Sequence, residues 1–504
     1  MKKTVALLLS VLLLLAVLPV NAAALDGGCD CGCAPVIHVS GLGGSFADGD
    51  NVVFPPQTDT IVSAVAKAIP ATPALLSGNL RTRQQERILQ VAGTFFAPIA
   101  FDKNGEPATN ARKTFTYPEE ISHGKGEMID FDYDWRMDPF TVAAQLKDFI
   151  EYVKTKTGHD SVYLVGESMG AAEMNTYLAA YGFNGIEGVI WYNGAQKGVA
   201  SCSDSFANKN DFNEEALSAF LKQLSVNGDQ QFLYDLFVAL DKAGLLSTVF
   251  DSVLSGADTL EQSGMFSRFL REYIGRIPGF WALVSGENYP AARAFAFPTP
   301  EIEAEYAGLL EKLDRYYNEV SSRTDEIMLG AKEATGTVGV VCGYGEYGPP
   351  VTSDNTRQSD SVILTVDESN GATCAPLGGT LGDGYVQKVS DGHNHVSPDN
   401  VIDASTAIFP DNTWFVKYGH HSFSGAQALV DRICYVEGFD VFADEAYPQY
   451  LVRDPATGAI SPLTADNGAG KTLESGFTAK LLQAVFKVMD VFLKVYKFFA
   501  NIVK

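Results

Sequence analysis

One stretch constrains the fold more than any other: Val162-Tyr163-Leu164-Val165-Gly166-Glu167-Ser168-Met169-Gly170. The apolar run Val162 to Val165 has the length and composition of a buried strand. It runs into Gly-Glu-Ser-Met-Gly, and Ala171 to Leu178 then reads as a helix. A strand, a sharp turn and a helix around GxSxG form the setting of a nucleophile elbow, with Ser168 thrust out at the carboxyl end of the strand. Glycines flank the serine because the turn is strained and the backbone passes close to its neighbours. The next helix begins there, so amide groups point at whatever the hydroxyl attacks. In a chain with 47 glycines a bare GxSxG is weak, and its flanking elements give it weight. An ordinary strand–helix turn is the competing reading. A serine hydroxyl alone is a poor nucleophile, so the elbow needs a histidine and an acid in the right order.

The surrounding pattern is that of an α/β protein. Pro35 to Ser40, Gly188 to Tyr192, Val338 to Cys342 and Thr413 to Lys417 read as further strands, Glu127 to Arg136 as a strand followed by a loop, and Ser361 to Val366 as an extra strand. Pro139 to Thr155 has apolar residues at helical spacing, as does the segment from Gly425 to Ile433. Short apolar strands alternating with helices imply a mostly parallel sheet covered on both faces, which binds ligands at the carboxyl ends of its strands. His38 lies inside the first strand and reads as a satisfied core histidine. The Gly41-Leu42-Gly43-Gly44-Ser45 segment after that strand lets backbone amides face a ligand, as an oxyanion loop would. Between about 205 and 335 helical periodicity takes over, which indicates a helical insertion.

Composition narrows the function classes. Of 504 residues 46% are apolar and 19% charged, the make-up of a globular protein. A net charge of −24 argues against nucleic acid as a partner, because phosphate contacts need clustered Lys and Arg. Residues 1–24 have the layout of a bacterial-type secretory signal peptide: Lys2-Lys3, an apolar core, then Ala22-Ala23-Ala24. A secreted or cell-surface location follows as an expectation. Residues 25–470 form the main domain, and 471–504 a C-terminal amphipathic helix. Within it, residues 477–504 carry a narrow lysine stripe on an otherwise apolar helix, which suits lipid-surface contact or docking onto protein. Of seven cysteines, Cys29, Cys31 and Cys33 crowd together, and Cys202, Cys342, Cys374 and Cys434 are scattered. In an exported protein some should pair. The Cys-Asp-Cys-Gly-Cys cluster could hold a metal, but no His/Cys pair lies at zinc-site spacing, so no metal is expected.

The catalytic partners are sought after the elbow. Asp383, in Gly382-Asp383-Gly384, is a turn aspartate placed to orient a histidine, with Asp391 as its rival. His420 follows the last strand and precedes a helix, with His421 as the alternative; His393 and His395 sit in a polar loop and are weaker. The order Ser168, Asp383, His420 is the order the elbow demands.

These features together resemble an α/β-hydrolase lipase. More narrowly, Tyr133-Asp134-Trp135-Arg136 is similar to the YDWR segment of the lecithin–cholesterol acyltransferase family. The resemblance covers roughly residues 35 to 435 in motif order. It implies an α/β-hydrolase fold with a helical cap, and oxyanion amides supplied by Leu42 and Met169. It implies cleavage of carboxylic esters, with lipids as the expected substrates, by a Ser-His-Asp triad through an acyl-enzyme. No cofactor is required. An acyltransferase, a serine peptidase on the same fold and a catalytically inactive surface binding protein are the other readings.

Overall fold

The computed structural model describes residues 31–54, 96–113, 115–209, 264–349, 356–419, 421, 425–454, 457–465 and 467, with 85, 86, 89 and 93. The expected signal peptide, the C-terminal helix, His420 and the part of the insertion between 210 and 263 lie outside these residues.

Beside two small two-stranded pairs, eight strands form the main sheet. In chain order they are β1 (Val36–Val39), β2 (Ile129–Phe131), β3 (Val162–Glu167), β4 (Ile186–Tyr192), β5 (Val338–Tyr344), β6 (Thr413–Lys417), β7 (Tyr450–Arg453) and β8 (Ile460–Pro462). Across the sheet they run β8-β7-β6-β5-β4-β3-β1-β2. All neighbours are parallel except β7 and β8. The α/β expectation therefore holds.

Side-chain alternation explains why the strands are apolar throughout. In β3, Val162 and Leu164 enter one core, and Tyr163 and Val165 the other. In β4, Val189 and Trp191 face the first, Ile190 and Tyr192 the second. Successive strand residues point to opposite faces, so a sheet covered on both sides has no polar face to show. Helices α1 (Pro139–Thr157) and α2 (Met169–Tyr181) cover the first face; α3 (Gln427–Tyr435) covers the second through Leu429, Val430 and Ile433. α1 ends where Gly158 adopts φ 72, a left-handed cap.

The described part of the insertion, 264–335, is helical, as its periodicity requires. It builds a third cluster of its own, with Trp281, Tyr289, Phe297 and Leu309 almost fully buried. The Tyr133-Asp134-Trp135-Arg136 segment links it to the sheet. Arg136 is fully buried; its Nε and Nη2 donate to the two Asp134 carboxylate oxygens at 2.8 and 2.6 Å, and Nη2 also donates to Ala111 O at 2.8 Å. Its guanidinium lies 4.0 Å over the Phe46 ring. Gly279 of the insertion donates to Arg136 O, and a Cβ at Gly279 would stand 1.8 Å from Trp135 O. Only glycine allows that approach.

One expectation fails. Ser361 to Val366 is no strand: Asp360 Oδ1 accepts the amides of Val362 and Ile363 at 2.8 and 2.6 Å, so a side chain takes bonds that a ladder would need. The six cysteines among the described residues are all unpaired. Cys342 and Cys434 are buried in different cores on opposite faces of the sheet, which keeps that pair from bonding.

Candidate active site

Ser168 stands between β3 and α2 with φ 53 and ψ −126, a conformation that costs a non-glycine residue of order 1–3 kcal/mol. The surroundings hold it there. Its amide donates to Tyr192 O and Asn193 O at 3.2 and 3.1 Å, and its carbonyl accepts from Ala171 and Ala195 at 3.1 and 2.9 Å. The glycine two residues on is needed for contact: a Cβ at Gly170 would lie 2.0 Å from Val39 O, so only glycine lets α2 start against the end of β1. The strained serine and the close-packed glycines are what the sequence pattern implied.

The serine does not stand alone. Its Oγ lies 2.8 Å from Nε2 of His421, and Nδ1 of His421 lies 2.8 Å from Asp360 Oδ2. The histidine's backbone is fixed as well, since His421 N donates to Asp360 O at 2.7 Å. Asp360 is fully buried. Burial disfavours its charge, but the His421 ring, a proton from Glu368 and the Ile363 amide outweigh that and hold its carboxyl below the usual range. Burial likewise pulls the His421 ring down, and the Asp360 charge and bond, with Glu167 behind them, more than reverse this; its pKa is raised. A neutral ring with its proton on Nδ1, facing Asp360, directs its Nε2 lone pair at the Ser168 hydroxyl, the arrangement in which it can take that proton.

Behind Asp360 lies a second buried carboxyl. Glu368 Oε1 accepts from Asn193 Nδ2 at 3.1 Å, and Oε2 accepts from Gly343 N at 2.8 Å. Burial and the Asp360 charge push its pKa far above the carboxylate range, so it stays protonated and donates to Asp360.

The acid differs from both sequence candidates. Asp383 sits exposed in a turn between two glycines at φ 98 and 74, with no histidine bonded to it among the described residues. Asp391 is bound elsewhere: Oδ2 lies 2.8 Å from His395 Nε2, and Oδ1 accepts from His393 N at 2.9 Å. Of the two adjacent histidines, His421, the alternate, meets the serine. Asp360, Glu368 and Asn193 went unread. The available signal was Ser359-Asp360-Ser361 after β5, an acid between small polar residues just ahead of an apolar run.

The Gly41-Leu42 loop also borders the serine. A Cβ at Gly41 would lie 2.8 Å from Ser168 Cβ and 3.3 Å from its Oγ, so this loop passes directly against Ser168. Leu42 is partly buried and packs on the core. Met169 is the first residue of α2, and an amide there has no intrahelical acceptor. Both amides thus belong to segments bordering Ser168. A cavity of about 720 Å³, lined by Lys197, Asp204, Arg323, Asp325 and Arg357 among others, includes none of Ser168, His421 and Asp360 in its wall. Its charged lining does not suit an acyl chain.

No family model, characterised protein or solved structure matches this chain, so the functional reading rests on the site itself.

Proposed function

We propose that this protein is a serine hydrolase of carboxylic esters with an α/β-hydrolase fold, in which the helices of residues 264–335 belong to a cap. The observation that carries the reading is the unbroken line from Ser168 Oγ through His421 to the buried Asp360, with both links at 2.8 Å. Ser168 Oγ attacks the ester carbonyl carbon while His421 Nε2 takes its proton. The tetrahedral oxyanion is held by the amides of Leu42 and Met169, each worth about 3–4 kcal/mol. The intermediate collapses as His421 returns the proton to the leaving alcohol oxygen, giving an acyl-enzyme. Water, deprotonated by His421, then releases the acid and restores Ser168. Asp360 keeps the ring oriented and stabilises the imidazolium; Glu368 in turn holds Asp360.

Lipid esters are the proposed substrates, on the apolar character of the insertion and the likeness of the Tyr133-Asp134-Trp135-Arg136 segment. Its aromatic cluster around Trp281 is the part suited to shaping an acyl site. Ser168 is only 9% exposed, which fits a nucleophile beneath a cover. Secretion and lipid-surface attachment through residues 477–504 belong to the same proposal.

Labelling with a fluorophosphonate probe tests the chemistry. Wild type should be labelled and Ser168→Ala not; an unlabelled wild type would favour a non-catalytic binding protein. A panel of p-nitrophenyl esters of rising chain length, run beside a peptide panel and an alcohol acceptor, separates ester hydrolysis from peptidase and acyltransferase activity.

A further inference from the structure

At the far end of the sheet from the triad, three side chains converge that the proposed reaction does not use. Cys31 precedes β1, His123 precedes β2 and His159 precedes β3. These strands are parallel neighbours in the sheet, so their leading ends lie side by side. Cys31 Sγ is 3.6 Å from His123 Nε2 and 3.5 Å from His159 Nε2, and the two Nε2 atoms are 3.1 Å apart. The imidazole rings meet nearly perpendicular, at 83°, so each presents an edge nitrogen to the common point.

We infer that Cys31, His123 and His159 form a metal site, and that zinc is the ion it fits. A thiolate with two imidazoles is a borderline-soft set that selects zinc over calcium or magnesium. Geometry supports the same ion. Bonds of about 2.3 Å to sulfur and 2.0–2.1 Å to nitrogen in a tetrahedron give S···N edges of about 3.5–3.6 Å and an N···N edge of about 3.3–3.4 Å. The two S···N separations match, and the N···N separation is shorter by a few tenths of an ångström. Hydrogen bonds can also join the trio, since the thiol donates to one acceptor and accepts from a ring N–H, so it is the separations, and not a proton count, that point to the ion. A single cation at the centre satisfies all three. Cys33 N also lies 3.4 Å from Cys31 Sγ and donates to it, the kind of backbone bond that steadies a metal-bound thiolate.

Among the described residues, Cys31, His123 and His159 are the side chains that supply ligands here. The site's place at the amino ends of the strands, where substrate does not bind, makes it structural. It ties the segment entering β1 to the loops ahead of β2 and β3. Its ligands are 92 and 128 residues apart in sequence, which is why no local spacing announces them.

The test uses the whole chain without a histidine tag, stripped by a chelator and reloaded with Zn²⁺ or Co²⁺ alone. One equivalent of zinc per chain is expected by elemental analysis. The Co²⁺ form should show tetrahedral ligand-field bands and a thiolate-to-metal charge-transfer band. Cys31→Ser should abolish that charge-transfer band, His123→Ala and His159→Ala should each weaken zinc binding by at least about tenfold, and Ser168→Ala should bind as wild type. Wild-type affinity in the histidine variants, or a charge-transfer band surviving in Cys31→Ser, overturns the assignment. If those variants fail to fold, wild type still decides: zinc should slow iodoacetamide alkylation of Cys31, mapped by mass spectrometry. An unchanged rate at Cys31 also overturns it. None of these readouts depends on esterase activity.

Discussion

Two histidines flank the elbow, and both are bound by a carboxylate at 2.8 Å, yet only one is a candidate base. His38, on β1, has Asp130 Oδ1 at 2.8 Å on Nδ1 and Glu167 Oε2 at 2.9 Å on Nε2. His421 has Asp360 on Nδ1 but Ser168 Oγ on Nε2. A ring between two carboxylates must donate from both nitrogens, so it is a fixed cation. Burial opposes that charge, but the two acids raise the pKa of His38 to about 9. The register pairs His38 with Asp130 on β2 and Val165 on β3, so the cation spans three strands. The ring of His421 instead keeps one nitrogen for a group that can give up its own proton. The identity of the second partner separates a clamp from a base.

The largest expected effect breaks or keeps that distinction outright. Ser168→Ala or His421→Ala should lower ester-hydrolysis kcat by about 10⁴–10⁶-fold, whereas His38→Gln should stay within about tenfold of wild type. Steady-state kinetics on a soluble ester would measure this. A deep loss in His38→Gln would make His38 part of the site and erase the contrast.

The second effect concerns the acid. Asp360→Asn should cost about 10⁴-fold, while Asp383→Asn and Asp391→Asn should each change kcat by less than about threefold. The pH profile sharpens the test. His421 works deprotonated, and its pKa lies above the ordinary 6.5 because the Asp360 interaction outweighs burial. Activity should therefore fall with acidification through a pKa above 6.5, and removing the Asp360 charge should move that limb downward. An acid limb at or below 6.5 in wild type would contradict the proposed pairing.

How far these roles could be read from the chain differs for the two ends of the proposed triad. Ser168 was legible because strain and close approach are local: a strand, two glycines and a helix encode the bend. The parallel sheet and the helical insertion were legible for the same reason, since periodicity is a local property. The acid was not. Asp383 and Asp391 lie in Asp-Gly turns that look like good positions, and Asp360 precedes an apolar run that looks like a strand. What singles out Asp360 is burial beneath His421 and Glu368, a consequence of folding distant segments together. The choice between His420 and His421 is also non-local. Tyr418 takes φ 56, and Gly419 O presses on Gly343, where a Cβ would lie 1.8 Å away; that contact fixes how the chain turns after β6.

Glu368 gives a third, smaller effect. Glu368→Gln keeps a donor toward Asp360 and one carbonyl acceptor, losing only one of the bonds from Asn193 Nδ2 and Gly343 N, so activity should stay within about tenfold of wild type. Glu368→Leu strips partners from a buried carboxylate, an amide and a backbone N–H, and should destabilise the fold by about 2–4 kcal/mol in urea unfolding. If the glutamine variant were as damaging as the leucine, a proton on Glu368 would be the wrong account of the pair.

The smallest effect returns to His38 and concerns stability alone. Its folded pKa, about 9, lies above the ordinary 6.5, so the folded state holds the proton more tightly than the unfolded one. The resulting stabilisation is fully present below pH 6.5, declines above it and is gone once the pH has passed about 9. With the ring 17% exposed and Asp130 74% exposed, solvent screening reduces the yield to about 1–3 kcal/mol. His38→Gln should therefore destabilise the protein by that amount at pH 6 and by much less at pH 9.5, measured by urea unfolding at both. A destabilisation that did not shrink with rising pH would mean His38 acts through packing. The two histidines would then differ by shape, and the second-partner rule drawn from them would lose one of its two cases.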